Sequence, residues 1–509
     1  MEIERDPKRW RILGILCLSV FLVVVDNTIV NVALPALSTS LHATNSQLQW
    51  IVDAYSLPFA GLLLAGGGLS DRLGRRRVMQ SGLFFFALFS ALAAYSTSSG
   101  TLITARTLMG VAAAFVFPAS LAILTTTFTD SRERAQAFGL WGAVSGAAVA
   151  FGPITGGFLI THFWFGSVFL VNIPIVAIAL VANHLVLPES KSPVQQKIDL
   201  GGLALGTVGI TSLVLAIIQG PSWGWLSVTT LGLFALSALS LIIFCLYELR
   251  RSEPLLDVRV FRVPAFSAGA GSIATAFFTL FGFIFLITQY FQLVRGYSAL
   301  SAGVHTLPFA ITSMVVTPLG ALLALKFGTR ITVSGGLFIM AISMVWMGTQ
   351  SATAPFFGPV VCQMITMSIG FSLINAPSTA AVMGSLSARQ IGAGSAVNNV
   401  TRELGGTLGV AIVGSVFSSV FGPLTRSAFT SVGAGAVDSQ RASTSMQAAL
   451  GAVRHIPFES ARVSMTSHIT EAFMSGLHRG CFVAAGISAL VGLTVYFYLP
   501  ARERVEKVS

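Results

Sequence analysis

The chain has 509 residues, 54% of them hydrophobic and only 10% charged. Soluble globular chains carry roughly 25% charged residues, so the composition excludes a water-soluble fold. The net charge of +11 might point to nucleic acid, but its distribution along the chain assigns it to membrane topology and excludes that partner.

Apolar runs long enough to cross a hydrocarbon core about 30 Å thick recur throughout. In lipid the backbone must satisfy its own hydrogen bonds, and runs this long and continuous predict helices rather than barrel strands. Spans are expected near 12–34, 48–69, 78–97, 100–128, 135–160, 166–187, 199–218, 227–247, 266–290, 303–325, 331–350, 356–384, 393–420 and 473–499. With residue 1 inside, 22 of the 30 Lys and Arg fall in the inner tails and loops, and the short outer loops hold only Arg295. The positive-inside rule then places both termini in the cytoplasm. The first span follows "MEIERDPKRWR" and is longer than a signal-peptide core, so it is expected to remain in the protein. Cys17, Cys245, Cys362 and Cys481 fall on four different spans without metal or redox spacing, and read as packing residues.

Span 1 contains "VVVDNTIVNVALP". Asp26, Asn27 and Asn31 project within about 140° of one another at 100° per residue, forming one polar face. A charge at the bilayer centre costs at least about 2.5–3.5 kcal/mol, so such a residue lines a cavity or pairs. Two readings stay open: a hydrogen-bonded strut between helices, or a carboxylate that alternately binds a proton and a cationic substrate. Asp53 in span 2 and Arg106 in span 4 lie at similar depth and are expected to form an ion pair or share a proton site.

Between spans 2 and 3 runs "GGLSDRLGRRR". Gly67 and Gly74 permit tight turning, Asp71 can cap a helix, and Arg72 and Arg75 hold the interface. In span 5, "GPITGG" combines a kink at Pro153 with small residues Gly152, Gly156 and Gly157 that allow close helix contact. Tyr55, Phe59, Phe117, Trp141 and Phe371 are candidates for a greasy pocket. His305 reads as an interfacial histidine, with proton shuttling as the alternative. Span 13 carries a second polar stripe, Asn398, Asn399, Arg402 and Glu403, again within about 140°. Glu403 is the candidate second protonation or cation site. The segment 421–472 has no apolar run long enough to span, and is expected to be an outer loop with a surface helix or disorder.

An internal repeat underlies this order. "LPFA" at 57–60 returns at 307–310, "DRLGRR" has an echo in "LKFGTR" with Gly328 matching Gly74, and Pro118 is matched by Pro377. The offsets drift only from 250 to 259. They predict two six-helix bundles, 1–187 and 266–499, with linkers and an inserted helix pair at 188–265 and a tail at 500–509. Parallel halves built from inverted repeats are one plan of secondary transporters.

The 67–77 stretch resembles the G-x-L-x-D-R-x-G-R-R signature of the major facilitator superfamily. "DNTIVNVALP" is similar to span 1 of its fourteen-helix drug:proton antiporters, and "GPITGG", preceded by Gly139, to their span 5 antiporter motif. "EPLLDVRVF", "GYSALSAG" and "RELGGTLGVA" also resemble that branch, and Arg402 falls where the branch leads one to expect it. Three positions depart from it: Ala148 replaces a glycine, Met109 stands where glutamine often follows the span 4 arginine, and the arginine before "FLVNIP" is absent. The resemblance implies an all-α major facilitator fold in a bacterial cytoplasmic membrane, exporting lipophilic, cationic drugs by alternating access. It further implies that Asp71 docks near Gly392 to Gly394. The sequence has no Gly-Lys pair for a Walker loop, no HExxH and no zinc spacing. The expected energy source is thus an ion gradient, which the resemblance implies is one of protons, with no cofactor, no metal and no enzymatic site. The expected partners are a small lipophilic substrate, protons and membrane lipid, with the chain a monomer. A dedicated exporter of a native lipid, antibiotic or metabolite is the alternative, with a non-transporting membrane enzyme or receptor a more distant one.

Overall fold

A computed structural model of the chain describes residues 8–499 apart from 42, 44, 191–198, 252–253, 387–390, 432–434, 436–438, 441, 444, 455 and 457. Fourteen helices among them are long and apolar enough to cross a membrane. In the first half, α1 (Arg9–Ser40), α2 (Asn45–Leu73), α3 (Arg75–Ala94), α4 (Ser99–Thr127) and α5 (Ser131–His162) cross in turn. The sixth crossing is α6 (Ser167–Leu170) running into α7 (Asn172–Val186). An inserted pair follows, α8 (Leu200–Trp223) and α9 (Val228–Arg250). The second half comprises α10 (Pro264–Gln289), α11 (Ala299–Val304) leading into α12 (Leu307–Phe327), α13 (Thr329–Met347), α14 (Val361–Gly384) and α15 (Ile391–Ser431). A short α16 (Met446–Val453) and the last span, α17 (Glu459–Tyr498), complete it.

Local chemistry explains where these helices begin. The Asp130 carboxylate accepts from the backbone N–H of Arg132 and Glu133 at the start of α5, and Ser98 with Thr101 forms a capping box at the start of α4. The repeat read from the sequence has a backbone counterpart. Gly74 between α2 and α3 has φ 111°, and Gly328 between α12 and α13 has φ 91°. Both turns need a conformation that a side chain resists, which is why glycine recurs at matching places.

Burial separates protein-facing from lipid-facing helices. In α4, Ala105, Met109, Ala113, Ala114 and Leu121 are all 0% exposed, whereas α9 leaves Leu231, Leu239, Ile242 and Leu246 exposed. α9 packs on α8, and α8 in turn on α2 and α15, so the inserted pair sits at the edge of the bundle. The halves meet along two seams. On one, α5 runs against α11, α12 and α14; on the other, α2 and α4 run against α15.

The segment 421–472 departs from expectation. α15 has 41 residues and α17 has 40, or about 60 Å each at 1.5 Å per residue. That is about twice what a hydrocarbon core requires. The two helices therefore continue beyond the bilayer as packed neighbours, with Phe417 against Phe421 and Phe473, and α16 packs on α17. Within the stretch read as an outer loop, 421–431 and 459–472 are extensions of the two spans, and Met446–Val453 is the short helix between them. Hydropathy hides this, because helix continuing into water carries no apolar run.

Candidate functional site

The first polar cluster is built by four helices around Asp26, which is 0% exposed. Its Oδ2 accepts from Arg106 Nη1 at 2.6 Å, and its Oδ1 from Asn172 Nδ2 at 2.7 Å. Asn172 also reaches Ser90 Oγ at 3.0 Å, and Ser90 donates to the Phe169 carbonyl. Arg106 is equally buried. Its Nε donates to the Ile51 carbonyl at 3.2 Å, and its guanidinium lies 4.3 Å from the Tyr55 ring centroid. The contacts run between helices, so the cluster ties α1, α2, α3, α4 and α7 together.

This corrects the expected pairing of Asp53 with Arg106: the carboxylate that Arg106 bridges is Asp26. Similar depth was a necessary condition but not a sufficient one, since helix rotation decides which side chain faces the gap. Asp53 is half-buried on α2, and Asn27 is half-buried on α1. The Asn31 side chain lies outside the described residues. Asn172 was missed as a partner. The available signal was an amide inside the apolar run "FLVNIP", since a polar side chain in lipid must find a partner.

The second cluster stands on α15. Arg402 is 6% exposed, and its Nη2 donates to Asn375 Oδ1 at 2.8 Å and Thr379 Oγ1 at 2.9 Å, both on α14. Its guanidinium lies 4.9 Å from the Trp141 ring and 5.1 Å from Phe277. Trp141 belongs to the first half, so Arg402 sits at the junction of the two. Asn398 and Asn399 are buried one turn away, with both polar atoms of each side chain lacking a hydrogen-bond partner. Glu403 is half-buried and makes no ion pair among the described residues. Gly405 and Gly409 seat this helix directly on α10, where a Cβ would collide with the backbone at Ala274 and Phe278.

A run of ring contacts connects the two clusters. Tyr55 stacks on Phe59 at 5.9 Å, Phe59 meets Phe117 at 5.8 Å edge-on, and Phe117 meets Trp141 at 5.8 Å. Beyond Arg402, Phe277 meets Phe371 at 5.4 Å. The aromatic residues singled out in the sequence thus form one track, with a buried arginine at its first-half end and another inside it. His305 is enclosed by rings, 4.3 Å from Tyr297 and 4.3 Å from Phe356, with Nδ1 at 2.6 Å from the Ser301 carbonyl oxygen.

The span 5 glycines serve contact on both sides of α5. A Cβ on Gly156 would lie 2.8 Å from Ile29 of α1, and one on Gly152 would collide with Thr28. Across the seam, a Cβ on Gly139 would lie 2.8 Å from Pro318 Cα, and Gly157 faces Leu300. Pro153 lies inside an unbroken α5 and faces Gly303. The motif therefore joins α1 to the second half through a helix with no side chains in the way.

At the basic end of the bundle, Asp71 Oδ1 accepts from Arg75 Nη2 at 2.7 Å, closing the turn around Gly74. Arg76 and Arg77 face Glu189 at 3.9 and 3.7 Å, and Arg75 N–H donates to the Ser190 carbonyl. Gly67 supplies the carbonyl that accepts from Ser70, and Arg72 is exposed. The expected docking of Asp71 near Gly392 to Gly394 falls partly on positions whose side chains lie outside the described residues. Nearby, Ser395 Oγ of α15 donates to the Pro118 carbonyl of α4 at 3.0 Å. Cys17 and Cys481 are buried as expected, but Cys245 and Cys362 are exposed, so packing does not account for those two.

Comparison with known proteins agrees with this architecture. Residues 16–410 match the family description Major Facilitator Superfamily. The chain is 34% identical to the multidrug efflux pump LfrA of Mycolicibacterium smegmatis over 82% of each chain. It is 34% identical to the methyl viologen resistance protein SmvA of Salmonella typhimurium, over 88% of this chain and 90% of that one. A tetracenomycin C resistance and export protein of Streptomyces glaucescens is 30% identical over 98% of this chain and 93% of its own. Among solved structures, the human organic anion transporter MFSD10 superposes with a TM-score of 0.63 at 15% identity, covering 96% of this chain and 100% of that one. That likeness is one of fold. With fourteen spans, two repeat-related halves and these relatives, the chain belongs to the major facilitator superfamily, alongside its bacterial multidrug and antibiotic-resistance exporters.

Proposed function

We propose that the chain is a proton-coupled antiporter that exports lipophilic aromatic drugs across the cytoplasmic membrane, with its basic end and both termini in the cytoplasm. The observation that carries this reading is the buried Asp26–Arg106 pair in one half and the buried Arg402, with Glu403 next to it in sequence, in the other, joined across the two halves by aromatic rings. One acid is held by an arginine and the other is not. A proton arriving from outside neutralises Glu403, displaces a cationic substrate, and then loosens Asp26 from Arg106 as the halves rock. Loss of the proton inside restores the Glu403 charge, the Asp26–Arg106 pair and substrate affinity. Such a cycle works only if substrate and proton prefer different states, because equal affinity for both shifts nothing.

Asp71 with Arg75 and the glycines of span 5 act as the gate and the seam in this scheme. The work is done by binding and rocking, with the proton gradient as the energy source and no cofactor or metal. A monomer surrounded by lipid suffices for it. A dedicated exporter of one antibiotic is the second reading, favoured by the similarity over 98% of this chain to a tetracenomycin C export protein.

The test is uptake of ethidium into inverted vesicles under an imposed pH gradient, with wild type, Asp26→Asn and Glu403→Gln side by side. Gradient-driven uptake by wild type and its loss in Glu403→Gln are expected. Uptake that ignores the gradient would remove the proton from the mechanism. Absence of uptake would leave the dedicated exporter as the better reading.

A further inference from the structure

Two buried arginines in this protein have opposite surroundings. Arg106 is matched by a carboxylate at 2.6 Å. Arg402 makes no ion pair among the described residues, and its two acceptors, Asn375 Oδ1 and Thr379 Oγ1, are neutral. Around it, Arg402 Nε, Asn375 Nδ2, Asn398 Nδ2, Asn399 Nδ2 and Trp141 Nε1 are buried donors without an acceptor. Native proteins satisfy the great majority of buried donors, because leaving one unmet costs stability. Five unmet donors beside one uncompensated cation therefore call for an explanation.

Their position supplies it. Arg402, Asn398 and Asn399 stand on α15, which contacts α2 and α4 of the first half, and Trp141 faces Arg402 from α5. This is the surface that parts when the halves rock. The excess is one of donors, with the Asn398 and Asn399 carbonyls the unmet acceptors among these side chains. Trp141 and Phe277 flank the guanidinium at 4.9 and 5.1 Å, so aromatic surface lies directly beside the unmet donors, the setting an aromatic ring bearing an acceptor would match. A bare quaternary cation satisfies none of these groups and is repelled by Arg402.

Resting on the export function proposed above, we propose that Arg402, Asn398, Asn399 and Trp141 recognise an anionic oxygen acceptor, a carboxylate above all, on an aromatic substrate. The favoured substrates are then oxygen-rich aromatics, acidic or zwitterionic, whose cationic end, where present, meets Glu403 one residue on. Simple quaternary cations are the poorer class. Charge-assisted hydrogen bonds are about twice as strong as neutral ones and give directional selectivity, so the acceptor decides affinity here.

The experiment uses the full-length protein in liposomes under a pH gradient, with three probes. Norfloxacin carries adjacent keto and carboxylate oxygens on an aromatic ring, its decarboxylated counterpart keeps the ring, keto group and amine and lacks only the anionic oxygen, and ethidium has no acceptor. Wild type should show a KM for norfloxacin about ten- to a hundredfold below that for the decarboxylated compound, the range expected for a hydrogen bond to a charged group. Arg402→Gln should bring that ratio close to one, while Arg402→Lys keeps part of it. Equal KM values in wild type, or a ratio that survives Arg402→Gln, would overturn the proposal. Should that variant fail to insert, the wild-type ratio decides, with Asn399→Leu as the second test. Ethidium transport without discrimination between the matched pair sinks this inference alone; failure to move any of the three sinks the multidrug reading with it.

Discussion

Replacing Arg106 by Met would strand the Asp26 carboxylate in a place where it is 0% exposed, with Asn172 at 2.7 Å as its remaining partner. Breaking a buried ion pair from one side costs about 3–5 kcal/mol, because an uncompensated charge is left behind. Asp26→Asn does the reverse, leaving the guanidinium with the Ile51 carbonyl at 3.2 Å and the Tyr55 ring at 4.3 Å. It should be costly for the same reason. The double variant removes both charges while keeping an amide to meet Asn172, and should be far less damaged than the sum. Unfolding in mixed detergent micelles, followed by circular dichroism for all four proteins, measures the coupling. We expect about 3 kcal/mol of coupling favouring the double variant. Independent sites add within roughly 0.3–0.5 kcal/mol, so additivity at that level would refute the pairing and return Asp26 to the substrate path.

Glycine substitutions should split by surroundings. Gly156→Ala and Gly139→Ala push a methyl against Ile29 and the Pro318 backbone and should cut transport severalfold, whereas Gly271→Ala meets open space and should keep full transport with equal or higher stability. Gly74→Ala combines a φ of 111° with a collision at Glu189, and should cost about 1–3 kcal/mol for the backbone alone; Glu189→Ala should relieve only the collision, as thermal melts would show. Asp71→Asn removes the charge that holds Arg75 at 2.7 Å, and should slow ethidium transport while leaving its equilibrium binding within about twofold, to be read from binding and flux on one preparation. Cysteines placed singly at Arg462 and Arg72 in a cysteine-free background should react with an impermeant maleimide from opposite sides of the membrane, the first from outside; labelling from the same side would contradict the topology.

Much of this protein was determined by its sequence alone. Lipid admits so few backbone solutions that composition and run length are enough to specify a helical bundle of fourteen spans, and the one-sided basic residues predict its orientation. Gly74 and Gly328 marked matching turns because their backbone conformation excludes other residues. Asp26, Arg106, Arg402 and Glu403 stood out because a charge in an apolar run must have a purpose. What the sequence could not determine was partnership. Position along the spans places Asp53 and Arg106 at similar depth, but only the packing rotates the helices so that Asp26, and not Asp53, meets Arg106. Tertiary structure alone also set Asn172 against Asp26, joined the rings from Tyr55 to Phe371, and left Arg402 among unmet donors. The continuation of α15 and α17 beyond the bilayer was hidden for a related reason: polar helix in water has no hydropathy signature, and it is held by neighbours such as Phe417 and Phe473 that lie 56 positions apart in the chain. Local sequence dictates what a helix must bury, but only the assembled bundle decides which neighbour buries it.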